Sequence, residues 1–114
     1  MTERVAFLWQ DELVAYRFND KHPLNPVRLE ATLDLLRQTG LLAQTDVVSF
    51  GPATIDDIAL VHDHRYIDAV RRFGGPDRGP LTERERREAL AFGLGTADNP
   101  IFPGMHDAAA LVAG

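Results

Sequence analysis

The sequence predicts an α/β fold built on a parallel sheet. The runs Val5-Ala6-Phe7-Leu8-Trp9 and Val47-Val48-Ser49-Phe50 both read as short apolar strands. A helical pattern lies between them, so strand, crossover helix and strand form the start of a βαβ unit, whose strands run parallel. The unbroken apolar character of the first run predicts a strand buried on both faces, in a sheet covered from two sides. Two strands alone are too few for a stable sheet of this kind. The domain is therefore expected to continue beyond Gly114.

Between the strands, residues 10–21 are mixed and polar and predict a loop with a short helical turn. His22-Pro23-Leu24-Asn25-Pro26-Val27-Arg28 is a rigid approach to a helix. Asn25 suits the N-cap and Pro26 the first helical position. Leu29, Leu33 and Leu36 then recur at helical spacing, and Gly40 supplies a stop. After the second strand, Thr54 and Asp57 form a weak capping box for a short helix. Asp63 caps the next helix, where Tyr66, Ile67, Val70 and Phe73 make an apolar stripe. Residues 74–80 are a glycine- and proline-rich loop, and Thr82 with Glu85 forms a stronger capping box for a helix closed by Gly93. A last helix, rich in small residues, is predicted after Pro103.

The chain has 114 residues, 45% of them apolar, which is a globular composition of one domain at most. A formal net charge of -5 argues against a general nucleic-acid binder, which needs a basic face. The absence of cysteine excludes disulfides and thiolate metal sites. No apolar run approaches the ~20 residues of a membrane span, and the N-terminus lacks a signal-peptide core. A cytoplasmic location is the default expectation, with no membrane partner.

Four candidates for chemistry stand out. His62-Asp63-His64 has the most metal-like spacing, but alternate residues share a face only on a strand. At a helix start the two histidines point apart, so the favoured reading is no ligand pair. His22 is open to two readings, a general acid or base and a structural hydrogen-bonding group. Arg28 occupies the first turn of a helix, where a cation is electrostatically unfavourable. Either it has a function or its stem covers apolar surface. Asp98, in the restricted loop Gly93-Leu94-Gly95-Thr96-Ala97-Asp98-Asn99-Pro100, reads by itself as a turn-former or cap. Gly93 and Gly95 give that loop backbone freedom, and Pro100 holds Asn99 extended. Phe102, Met105 and Leu111 are expected in the core. The chain holds no nucleophile elbow, phosphate loop or complete acid–base set.

Taken in order, residues 22–28, residues 61–67 (Val-His-Asp-His-Arg-Tyr-Ile) and residues 93–104 resemble the N-terminal part of the histone-deacetylase family, above all its bacterial acetoin-utilisation branch. The likeness runs across nearly the whole chain. It implies an arginase-like, three-layer α/β/α fold with a parallel sheet. It implies a zinc-dependent amide hydrolase that removes acetyl groups from protein lysine or from a small acetylated amine. Asp98 matches the family's substrate-binding aspartate at the pocket rim. Arg28 matches the arginine of the internal channel through which acetate leaves, and Tyr16 falls near that channel on a looser alignment. Both roles are chemically apt. A carboxylate can accept two successive peptide N–H groups, and a guanidinium presents a fork to acetate. The family's histidine pair, zinc ligands and transition-state tyrosine have no counterpart here. The resemblance thus implies no catalytic residue and no bound metal in this chain, with zinc belonging to the full-length enzyme. Two rival readings remain: a non-catalytic protein-binding module that keeps the pocket-entrance half of the fold, and a small metal-binding protein using His62 and His64.

Overall fold

In the computed structural model, which describes residues 3–114, two strands and five α-helices follow one another along the chain. Strand β1 (Ala6–Leu8) leads through a 3-10 turn at Asp11–Ala15 and a loop to helix α1 (Val27–Gln38). A second 3-10 turn precedes strand β2 (Asp46–Val48). The strands pair in parallel with Ala6 opposite Asp46, Phe7 opposite Val47 and Leu8 opposite Val48. The βαβ opening is thus present, and Asp46 N–H donating to Val5 O (2.9 Å) and Trp9 N–H donating to Val48 O (3.1 Å) extend the ladder at both ends.

The expected burial of β1 does not occur. Leu8 is 62% exposed and Val48, its partner on β2, 41%. A parallel strand is buried by the layers laid over its two faces. Among the described residues the sheet is two-stranded and its faces stay largely open. The second strand also begins and ends earlier than its apolar run, because Ser49 and Phe50 have already left the ladder.

The helices follow local chemistry closely. Asn25 Oδ1 accepts the Val27 N–H (3.0 Å) and so caps α1, although regular helix begins after Pro26. Of the predicted leucine stripe only Leu33 is buried. Helix α2 (Ile55–Ala59) starts with a reciprocal capping box between Thr54 and Asp57. Helix α3 (His64–Phe73) is capped by Asp63, whose carboxylate accepts the Arg65 N–H (2.8 Å). Helix α4 (Glu83–Ala91) has the second capping box, Thr82 with Glu85. It ends in a Schellman turn: Gly93 N–H donates to Leu90 O (2.9 Å) and Leu94 N–H to Ala89 O (3.0 Å), with Gly93 at φ +76°. Helix α5 (Met105–Ala113) follows the loop.

The core lies between α3, α4 and α5. Ala69, Phe73, Ala89, Leu94, Phe102, Met105 and Ala108 form it, and Tyr16 and Phe18 from the N-terminal loop pack against it. Phe102 and Met105 are buried as expected, and Leu111 is half-buried. Two backbone bonds tie distant segments to this cluster. Gly104 N–H donates to Gly74 O (2.8 Å) at the end of α3, and Ala53 N–H to Ala110 O (2.8 Å) on α5.

Candidate functional site

The loop between α4 and α5 is held almost entirely through its backbone. Gly95 N–H donates to Asn99 O (2.9 Å), and Asn99 N–H to the Thr96 hydroxyl (3.0 Å). The Asn99 side-chain amide reaches back to Gly93 O (3.0 Å). These bonds close a tight ring on Asp98, while Leu94 and Phe102 anchor its two ends in the core. The Asp98 carboxylate points out of this ring. It is exposed and makes no hydrogen bond or ion pair among the described residues. Its backbone does the turn-forming work, so the side chain is free for another acceptor role.

His22 joins the loop from the far side. Its Nδ1 accepts the Leu24 N–H (3.0 Å), so that nitrogen carries no proton. The hydrogen then sits on Nε2, which donates to the backbone carbonyl of Asp98 (3.0 Å). The ring lies 4.4 Å from that of Phe18, which meets Phe102 edge-on at 5.5 Å. Of the two readings open for His22, this geometry is the structural one. With both ring nitrogens committed, neither is left to move a proton.

Arg28 lies away from this loop in the first turn of α1. It is exposed, and its Nε makes a long 3.4 Å contact with Asn25 O. It forms one wall of a cavity of about 480 Å³ shared with Tyr16, Leu24, Leu29, Ala109 and Val112. Tyr16 thus lines the same cavity as Arg28. A second cavity, of about 450 Å³ and mostly apolar wall, opens on the other side of Tyr16 between Phe18, Tyr66, Phe102 and α5.

His62 and His64 are not brought together as a ligand pair. His62 precedes α3 and lies against the Tyr66 ring, 5.3 Å between centroids, whereas His64 is the exposed first residue of that helix. Hydrogen bonds from the Arg65 side chain and backbone hold the Asp63 carboxyl between them below the usual range. That carboxylate is occupied as a cap.

The family model described as Histone deacetylase domain matches residues 22–114. The chain belongs to the histone deacetylase family. Curated relatives agree on the branch. Acetoin utilization protein AcuC of Bacillus subtilis (strain 168) is 36% identical over 109 residues, 96% of this chain and 27% of the relative. AcuC of Staphylococcus xylosus is 35% identical over 114 residues, 100% of this chain and 28% of the relative. AcuC of Staphylococcus aureus (strain MRSA252) is 33% identical over 111 residues, 97% of this chain and 27% of the relative. The chain thus spans about a quarter of the length of these relatives.

A histone deacetylase relies on zinc, and the residues described here do not fit that ion. No group of three or more histidine or carboxylate side chains converges among them, whereas a catalytic zinc site takes about three protein ligands. What these residues can do is bind and orient. The matched region contains Asp98 on its tied loop, Arg28 at its cavity and His22 between Asp98 and the aromatic cluster. The hydrogen bond from His22 to Asp98 was not foreseeable from the residues, because it joins positions 76 apart in sequence. No helix is long and apolar enough to cross a membrane among the described residues.

Proposed function

We propose that this chain is the N-terminal, pocket-entrance part of a single zinc-dependent deacetylase domain with the arginase-like, three-layer α/β/α fold. Its reaction is hydrolysis of the acetyl amide on a protein lysine or a small acetylated amine, in the cytoplasm. Family membership and the AcuC relatives support the reaction class. The parallel βαβ opening is compatible with the fold. Zinc, in this reading, is held by residues other than those of this chain.

The observation that carries the site assignment is the unengaged Asp98 carboxylate on a loop whose backbone bonds are otherwise satisfied. Such a group is preorganised to accept two neighbouring N–H groups of an extended substrate and thereby to fix its register at the pocket mouth. Arg28 is the acetate-channel residue. Its guanidinium has no carboxylate partner among the described residues and lines a cavity beside Tyr16.

The test is Asp98→Asn in the full-length enzyme. The change keeps the shape but turns one acceptor into a donor facing N–H groups. Hydrogen bonds to a charged group contribute about 1.5–3 kcal/mol each. Activity on an acetylated peptide should therefore fall by roughly one to three orders of magnitude. Metal content should be unchanged, and a small acetylated amine lacking those N–H groups should be affected far less. Full peptide activity, or loss of zinc along with activity, would remove Asp98 from this role. The exposed apolar residues of the sheet, Leu8 and Val47 among them, favour a second reading as a protein-binding module. That reading prevails if the full-length protein turns over no acetylated substrate.

A further inference from the structure

We propose that His22 is a positioning residue for substrate recognition, acting through the backbone of Asp98; this rests on the rim assignment of Asp98 above. His22 is half-buried, and both its nitrogens are engaged on opposite sides. Nδ1 takes the Leu24 N–H and thereby sets which nitrogen bears the hydrogen. Nε2 spends that hydrogen on the Asp98 carbonyl. The ring is thus a strut between the approach to α1 and the rim loop. It is held at its flank by Phe18, and Phe18 in turn by Phe102, four residues beyond Asp98. The loop's own bonds, through Asn99, Thr96 and Gly93, fix its internal shape. Among the described residues, the His22 bond is the hydrogen bond that fixes the Asp98 peptide relative to the N-terminal segment.

The consequence is directional. A carboxylate that must meet two N–H groups at once is sensitive to the orientation of its own peptide. Losing the strut should weaken substrate holding without touching the bond-breaking step. It should appear in KM for a peptide and far less in kcat, or in activity on a small amine.

Two substitutions separate the two ends of the strut. In His22→Asn the side-chain oxygen can still accept the Leu24 N–H, as asparagine does two residues ahead in a turn, but nothing reaches Asp98. In His22→Gln the longer amide can donate to Asp98 O while the Leu24 bond is lost. The full-length enzyme carrying each change is assayed on an acetylated peptide and a small acetylated amine, with Asp98→Asn alongside. His22→Asn should raise peptide KM roughly 3- to 10-fold, the range for loss of one neutral hydrogen bond. His22→Gln should restore most of that. A peptide KM unmoved by His22→Asn, while Asp98→Asn raises it, overturns the proposal and leaves the rim assignment standing. Equal loss on both substrates, or failure of both variants to fold, assigns His22 to general stability and also overturns it. A silent Asp98→Asn removes the rim assignment itself, and with it any role for His22 in positioning.

Discussion

Glu85 carries more than one task. Its carboxylate accepts the Thr82 N–H (2.8 Å) as half of the α4 capping box and also pairs with Arg78 from the preceding loop. The side chains of Arg78 and Glu85 are 26% and 22% exposed, the most shielded ion pair among the described residues. The Arg78 guanidinium, followed by the Thr82 backbone, lowers the Glu85 carboxyl from the ordinary 4.5 to about 2. The folded state therefore binds the proton less readily than the unfolded chain. The stability this group contributes is fully present above pH 4.5 and is lost as the pH falls through about 2. Asp57 and Asp63 are lowered by their own cap bonds and act in the same direction. Denaturant melts at about pH 5 and about pH 3 should show a loss of stability that is smaller in Glu85→Gln. An equal loss in both proteins would dissociate Glu85 from acid sensitivity. At this scale the sequence was informative wherever partners lie within three residues. Thr54 with Asp57, and Thr82 with Glu85, are legible as spaced pairs, whereas His22 and Asp98 meet only because the chain folds back.

At the scale of elements, the end of α4 decides where the rim loop begins. The Schellman turn requires the left-handed conformation that Gly93 adopts, and Leu94 drops into the core directly after it. A Cβ at Gly93 would meet nothing within 4 Å, so Gly93→Ala is penalised by its backbone alone. The expected cost is about 1–2 kcal/mol. Gly51→Ala, with open space and no left-handed φ, should be close to neutral. Thermal or urea melts of the two variants make the comparison, and equal stabilities would mean that the turn tolerates rearrangement. Helix ends were legible because caps and stops are local chemistry. The exposure of β1 was not. Its five apolar residues specify a strand, but how deeply a strand is buried depends on what is laid over it. The leucine stripe of α1 shows the same limit, since Leu35 and Leu29 remain exposed while Leu33 is buried.

For the whole molecule, the radius of gyration is 17.0 Å and the extents are 58 × 32 × 22 Å. A compact chain of this length would have a radius near 13 Å. No large side chain falls below 2% exposure among the described residues, and apolar positions such as Val5, Leu8, Val47 and Leu60 face outward. An elongated body with open sheet edges and a shallow core should be marginally stable or self-associating when prepared alone. Light scattering with a thermal melt checks this. A monodisperse monomer with a sharp cooperative transition would contradict it and strengthen the reading as an independent module. The family could be read from three separated motifs. The spatial arrangement of those motifs could not, because Asp98 and His22 adjoin while Arg28 lies at a different cavity.

The pairing of Ala6 with Asp46 also sets a timetable. Forty residues separate the partners, and all of α1 lies between them. At a synthesis rate of about 5–20 residues per second, β1 leaves the ribosome roughly 2–8 s before β2 exists to receive it. Helix α1 needs no such wait, since its bonds are local and a helix forms within about a microsecond. The three-residue β1 is therefore an apolar strand without a neighbour for seconds of each chain's life. In that interval its open backbone is available to any other strand, including the β1 of a chain emerging beside it.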